Sequence, residues 1–198
     1  MAADTVCEVL GCPEVSRVLV VTADEVVGAQ LSSLGVSVLG DEPGGLDGDG
    51  EGLNAALEHG ASAAVRWWPG HGIAALSADL PALRAAELGR ALRAASSLPP
   101  GRAAFVADAQ GVGTTLYAAP PGAEFRPMFG ESSRRRHAAS GLRELLFDGM
   151  PGLRRDVDTP EDLRTAVALG AGPRTMAVAG ELLDAAYLTR PRCAPPDR

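Results

Sequence analysis

The run Asp156-Val157-Asp158-Thr159-Pro160-Glu161-Asp162 sets two carboxylates two residues apart, directly ahead of a helix start. On an extended chain Asp156 and Asp158 face the same way. Thr159 suits an N-cap, Pro160 the first helical position, and Glu161 and Asp162 the positive end of the helix dipole. Two fixed carboxylates at a strand-to-helix corner are what a hard cation such as magnesium needs when substrate phosphates supply its remaining ligands. A solvated loop is the alternative for Asp156 and Asp158, and capping is the simpler account of Glu161 and Asp162. Asp79, after the apolar run Ile73-Ala74-Ala75-Leu76, adds a third carboxylate at the end of an expected strand.

Two segments have anion-binding composition. Gly111-Val112-Gly113-Thr114-Thr115 offers backbone N–H groups beside two hydroxyls, although glycines before threonines also make an ordinary hairpin turn. In Phe129-Gly130-Glu131-Ser132-Ser133-Arg134-Arg135-Arg136-His137, glycine and serines precede an expected helix whose N-terminus would favour an anion, or would simply be capped. Arg134 and His137 are three apart and could share a helix face. Asn54, the one asparagine in the chain, could read a base or ribose with its amide, or cap a helix. No nucleophile elbow, zinc-binding helix motif or serine triad occurs. All eighteen positive charges are arginine, which excludes a lysine Schiff base and a phosphate-loop lysine within these residues. Three cysteines, Cys7, Cys12 and Cys193, give neither a disulfide framework nor a zinc site.

These residues need a scaffold, and the pattern alternates helix and strand. Helices are expected over Ala2–Leu10, Glu25–Leu34, Leu53–Ala64, Pro81 or Leu83 to Ser96, Ser132–Phe147, Pro160–Leu169 and Thr175–Leu188. Val18–Val21 and Ile73–Leu76 read as buried strands, with further strands at Val36–Leu39, Ala103–Ala107, Thr114–Ala119 and Leu153–Val157. A glycine-rich acidic loop runs from Gly40 to Gly52. The expected fold is α/β, with three layers around a mixed, mostly parallel sheet whose ligands bind beyond the carboxyl ends of the strands. Composition agrees: 198 residues with 46% apolar and 22% charged content make one ordinary globular domain. A net charge of -7 argues against nucleic acid as a partner, and no apolar run is long enough for a membrane span, so a cytoplasmic location is expected.

Four motifs occur in order: Ser77-Ala78-Asp79-Leu80-Pro81-Ala82-Leu83, Gly113-Thr114-Thr115-Leu116, Phe125-Arg126-Pro127-Met128-Phe129-Gly130 with Ser133 and His137, and Asp156-Val157-Asp158-Thr159-Pro160. Together they resemble the phosphoenolpyruvate guanylyltransferase family of coenzyme F420 biosynthesis, whose close relatives use 2-phospho-L-lactate. The resemblance runs from about Ala2 to Thr175. It implies a nucleotidyltransferase fold of the GT-A and molybdopterin guanylyltransferase type, with GTP and phosphoenolpyruvate as small-molecule partners. It also implies that Asp79, Asp156 and Asp158 hold magnesium and that Thr115, Gly130 and Ser133 bind phosphoenolpyruvate. Family members open with a strand and a loop bearing lysine and arginine that grips the nucleotide, whereas this chain begins in the helix that follows. The domain reading is therefore 1–178 as a single nucleotidyltransferase-like domain without that N-terminal segment, and 179–198 as a helix end and disordered tail. A catalytically silent relative and a different sugar or pterin nucleotidyltransferase are the competing readings.

Overall fold

The computed structural model describes residues 1–40, 51–146 and 148–188; the expectations for residues 41–50 and for the tail from 189 lie outside them. In chain order the elements are α1 (Ala2–Leu10), β1 (Leu19–Val21), α2 (Glu25–Ser32), β2 (Ser37–Leu39), α3 (Glu51–Trp67), β3 (Ile73–Leu76) and α4 (Ala85–Ser96). There follow β4 (Ala104–Ala107), β5 (Thr114–Ala119), α5 (Ser133–Ala139), β6 (Arg143–Glu144), α6 (Pro151–Arg154), α7 (Pro160–Ala168) and α8 (Pro173–Leu188).

The period-2 alternation of β5 builds the layers. Leu116 and Ala118 pack on one face with Leu88, Ala91 and Ala95 of α4, while Tyr117 and Ala119 pack on the other with Phe129 and with Leu57 of α3. Helices thus cover both faces of this sheet. A third cluster joins Val6 of α1 and Leu31 of α2 to Val18, Val20 and Val38 around the first two strands.

The sheet departs from the mostly parallel expectation. β1 and β2 form a parallel pair, with Leu19 opposite Ser37, and the other strands form a separate sheet in the order β3-β5-β4-β6. There β5 runs antiparallel to both neighbours and only β4 and β6 are parallel. The short turn from Asp108 to Gly113 enforces part of this, since so few residues can join only antiparallel strands. Among the described residues β1 and β3 each pair on one side, and their other edges line a cleft of about 140 Å³ beneath Leu57, Gly60, Ala61 and Ala64 of α3. That open edge leaves β1 half-buried, where a fully buried strand was expected.

Two elements differ in kind. The helix expected to reach Phe147 ends at Ala139, because Gly141 takes φ +87° and the chain turns to pair β6 with β4. The strand expected at Leu153–Val157 is replaced by the single helical turn α6. Its free N–H groups at Gly152 and Leu153 are taken by the buried Glu87 carboxylate from α4, at 3.4 and 2.7 Å. The carbonyl of Ala82 lies against Gly152 and leaves no room there for a Cβ.

Candidate active site

Asp79 sits at a corner beyond β3. The Thr5 hydroxyl from α1 holds that corner on both flanks, donating to the Ala78 carbonyl at 2.9 Å and accepting from the Leu80 N–H at 3.2 Å. The Ser77 N–H donates to the Thr115 carbonyl, which carries the β3–β5 pairing one step further. Asp79 is half-buried, and burial, with the charge of Asp158 in support, raises its pKa.

Asp156 and Asp158 lie in the connection from α6 to α7. Arg154 fastens this stretch to the end of β4, donating to the carbonyls of Ala107 and Asp108 at 3.0 and 2.8 Å while its own carbonyl accepts from the Ala109 N–H. The start of α7 is a capping box: Thr159 and Asp162 exchange hydrogen bonds, Pro160 opens the helix, and Arg155 pairs with Asp162 at 3.1 Å. The capping account of Asp162 is therefore realised. Burial pushes the pKa of Asp156 up to about 6, with the charges of Asp108, Asp158 and Asp79 adding to the rise. Residues far apart in sequence are thus brought into one another's field.

Asp108 was not among the candidate residues singled out from the sequence. Its buried carboxylate accepts from the N–H groups of Val112 and Gly113, at 2.8 and 2.7 Å, and it also repels Asp156. The signal was a carboxylate directly after an apolar strand, the same placement that singled out Asp79.

Among the described residues no group of three or more His, Cys, Asp or Glu side chains is placed to hold a metal ion, so Asp79, Asp156 and Asp158, expected as magnesium ligands, are not gathered as a protein-only cation site; Asp158 is exposed and the other two half-buried.

Of the expected anion-binding residues, Thr115 lies on β5, Gly130 ahead of α5 and Ser133 at the first position of α5. Pairing between β4 and β5 shifts between Val106 and Ala107, leaving Thr115 as the extra residue of a β-bulge, a device that re-aims side chains. Thr115 is fully buried and its hydroxyl has no hydrogen-bond partner. Gly130 is exposed at φ +109°, and its carbonyl accepts from the N–H of buried Ser133 at 3.1 Å. The Arg134 N–H donates to the Val112 carbonyl, which brings the start of α5 against the turn that Asp108 organises.

Three expectations resolve differently in detail. α5 has seven residues, with Ser132 left-handed at φ 52° and no side-chain cap, so the capping alternative is not realised at its start. Arg134 turns to the Glu144 carboxylate and the Gly111 carbonyl, while His137 is buried, so the two do not form a ligand face. Asn54 lies inside α3 instead of capping it, and its amide clasps the main chain of Phe129, donating to the carbonyl at 3.0 Å and accepting from the N–H at 2.8 Å. A larger cavity of about 710 Å³, bordered by Glu58, His71, Pro120 and Phe125, opens at the end of β3 opposite Asp79.

Carboxylates beyond strand ends, a mixed sheet and helices on both faces define a nucleotidyltransferase of the MobA class: the MobA-like NTP transferase domain matches residues 2–156. Curated relatives narrow this. A phosphoenolpyruvate guanylyltransferase of Thermomonospora curvata is 57% identical over 92% of this chain and 76% of its own length. Those of Streptomyces coelicolor and Streptomyces avermitilis are 53% and 52% identical over 92% of this chain and 82% and 80% of theirs. The chain belongs to the phosphoenolpyruvate guanylyltransferase family. Among the described residues no helix is long and apolar enough to cross a membrane.

Proposed function

We propose that the chain transfers GMP from GTP to phosphoenolpyruvate, giving enolpyruvyl-diphospho-5'-guanosine and pyrophosphate in coenzyme F420 biosynthesis. A phosphate oxygen of phosphoenolpyruvate attacks the α-phosphorus of GTP, and pyrophosphate departs with the electron pair of the broken bond. An ionised phosphate is already nucleophilic, so alignment and charge neutralisation carry the catalysis and no strong base is required. Thr115, Gly130 and Ser133 would bind the acceptor, Thr115 through a buried hydroxyl that has no partner within the protein. Asp79, Asp156 and Asp158 would hold magnesium, which when bound neutralises charge between the two anionic substrates. Membership of the phosphoenolpyruvate guanylyltransferase family carries this reading. Burial first, and then the Asp158 charge at Asp79 and the Asp108, Asp158 and Asp79 charges at Asp156, raise both carboxyl groups, a crowding of negative charge that a divalent cation shared with substrate phosphates would relieve.

Pyrophosphate release from GTP and magnesium, assayed with phosphoenolpyruvate, with 2-phospho-L-lactate and with neither, tests the proposal. Release that depends on phosphoenolpyruvate, with the matching product mass, is expected. Release without either acid favours a sugar or pterin enzyme, and no release under any condition favours a silent relative. Asp158→Asn should reduce turnover at least about a hundredfold with the unfolding midpoint unchanged, and full turnover in that variant refutes the ligand role.

A further inference from the structure

His137 is fully buried among aromatic rings, with the ring centroids of Phe105, Tyr117 and Phe129 5.6, 5.4 and 5.5 Å away. Both of its nitrogens are engaged, and they bond to different parts of the candidate acceptor site. Nε2 faces the Met128 N–H at 2.9 Å, and a backbone N–H can only donate, so Nε2 accepts. Burial, reinforced by the charge of Arg136, lowers the imidazole pKa to about 4 and keeps the ring neutral. The remaining proton is therefore on Nδ1, which donates to the Thr114 hydroxyl at 2.9 Å. One bond holds the bulge that carries Thr115. The other holds the segment that leads through Phe129 to Gly130 and Ser133, whose far side is gripped by Asn54 and Arg136 at Phe129.

We propose that His137 is a positioning residue for the acceptor site, coupling the Thr114–Thr115 bulge to the Met128–Ser133 segment so that Thr115, Gly130 and Ser133 stay in register around one phosphate-bearing acid. The assignment rests on the function proposed above. A histidine that merely fills the aromatic pocket would be replaced by another ring without consequence for the ligand. A coupling histidine would not, because phenylalanine leaves the Met128 N–H and the Thr114 hydroxyl unpartnered and frees the two halves of the site to drift apart.

Titration calorimetry of phosphoenolpyruvate and, separately, of GTP with magnesium distinguishes these roles in the wild type and in Thr114→Val, His137→Gln and His137→Phe. Thr114→Val removes a single hydroxyl with little change of shape and should weaken phosphoenolpyruvate about tenfold, with GTP unchanged. His137→Gln keeps an oxygen able to accept from Met128 and should lose less than His137→Phe. If His137→Phe does not fold, Thr114→Val decides alone. Unchanged phosphoenolpyruvate affinity in Thr114→Val, or equal losses for both ligands, overturns the inference. Failure of the underlying function looks different: the wild type itself then takes up no phosphoenolpyruvate, and the inference falls with it.

Discussion

Thr5 and Arg154 touch none of the residues expected to meet substrate with a side chain that could react, yet each fixes one carboxylate-bearing stretch. Thr5 bridges Ala78 and Leu80 on either side of Asp79, and Arg154 ties the approach to Asp156 onto the end of β4. The Thr5 hydroxyl is buried and serves as donor and acceptor at once, so Thr5→Val takes the partner from the Ala78 carbonyl and from the buried Leu80 N–H. The expected cost is about 1–2 kcal/mol of stability. If Asp79 takes part in holding magnesium, the same variant should need several-fold more magnesium for half-maximal turnover, because the corner becomes free to wander. Denaturant unfolding and a magnesium titration of pyrophosphate release measure the two effects. A stability loss with an unchanged magnesium requirement would leave Thr5 as a core residue and nothing more.

Helix ends divide into those closed by neighbours in sequence and those closed from afar. Asp24 accepts from Val26 and Val27 at the start of α2, and Thr159 and Asp162 close α7 reciprocally. Such closures follow from residue type and spacing, which is why α7 and its Thr159–Asp162 cap were legible in the sequence. By contrast Asp4 of α1 accepts from Arg174 and Thr175 to start α8, and Glu87 of α4 accepts from Gly152 and Leu153 to start α6. No local pattern announces a partner so far along the chain, so Leu153 and its neighbours read as a strand and the helical turn was missed. The same limit hid the grip of Asn54 on Phe129, since a lone amide in a helix says nothing about which main chain it will meet. It also hid β6, two residues whose pairing with β4 comes from tertiary packing and not from any apolar run. The α/β class and the place of Asp79 beyond β3 were readable because each depends on periodicity and local punctuation, whereas the strand expected ahead of Asp156 and Asp158 is not there. Glu87→Ala tests the remote closure: it should cost about 2 kcal/mol, since a buried acceptor serving two N–H groups is lost. Equilibrium unfolding measures it, and a loss within the scatter of exposed-site variants would mean that α6 needs no such support.

At the scale of the whole molecule, buried His137 and half-buried Asp156 tilt stability in opposite directions as pH falls. His137 has a native pKa near 4 against about 6.5 in the unfolded chain, so below pH 6.5 the unfolded state takes up a proton that the native state refuses. Its contribution is complete above pH 6.5 and is lost as pH falls toward 4, a swing of about 3 kcal/mol for a fully buried ring. Asp156 behaves in the reverse sense. With a native pKa raised from 3.8 to about 6, it binds a proton more readily in the folded state, so acidification from pH 6 to 3.8 stabilises the fold and relieves the repulsion from Asp108, Asp158 and Asp79. The variants separate the two. With metal chelated, Asp156→Asn should be more stable than the wild type above pH 6 and lose that advantage on approaching pH 4. His137→Gln should show its largest deficit at pH 7 and a shrinking one toward pH 4. Urea midpoints across this range for the three proteins decide the matter. Three parallel profiles would mean that neither group changes its proton affinity on folding, and the half-buried, charge-crowded environment described for Asp156 would have to be abandoned together with the neutral imidazole at the acceptor site.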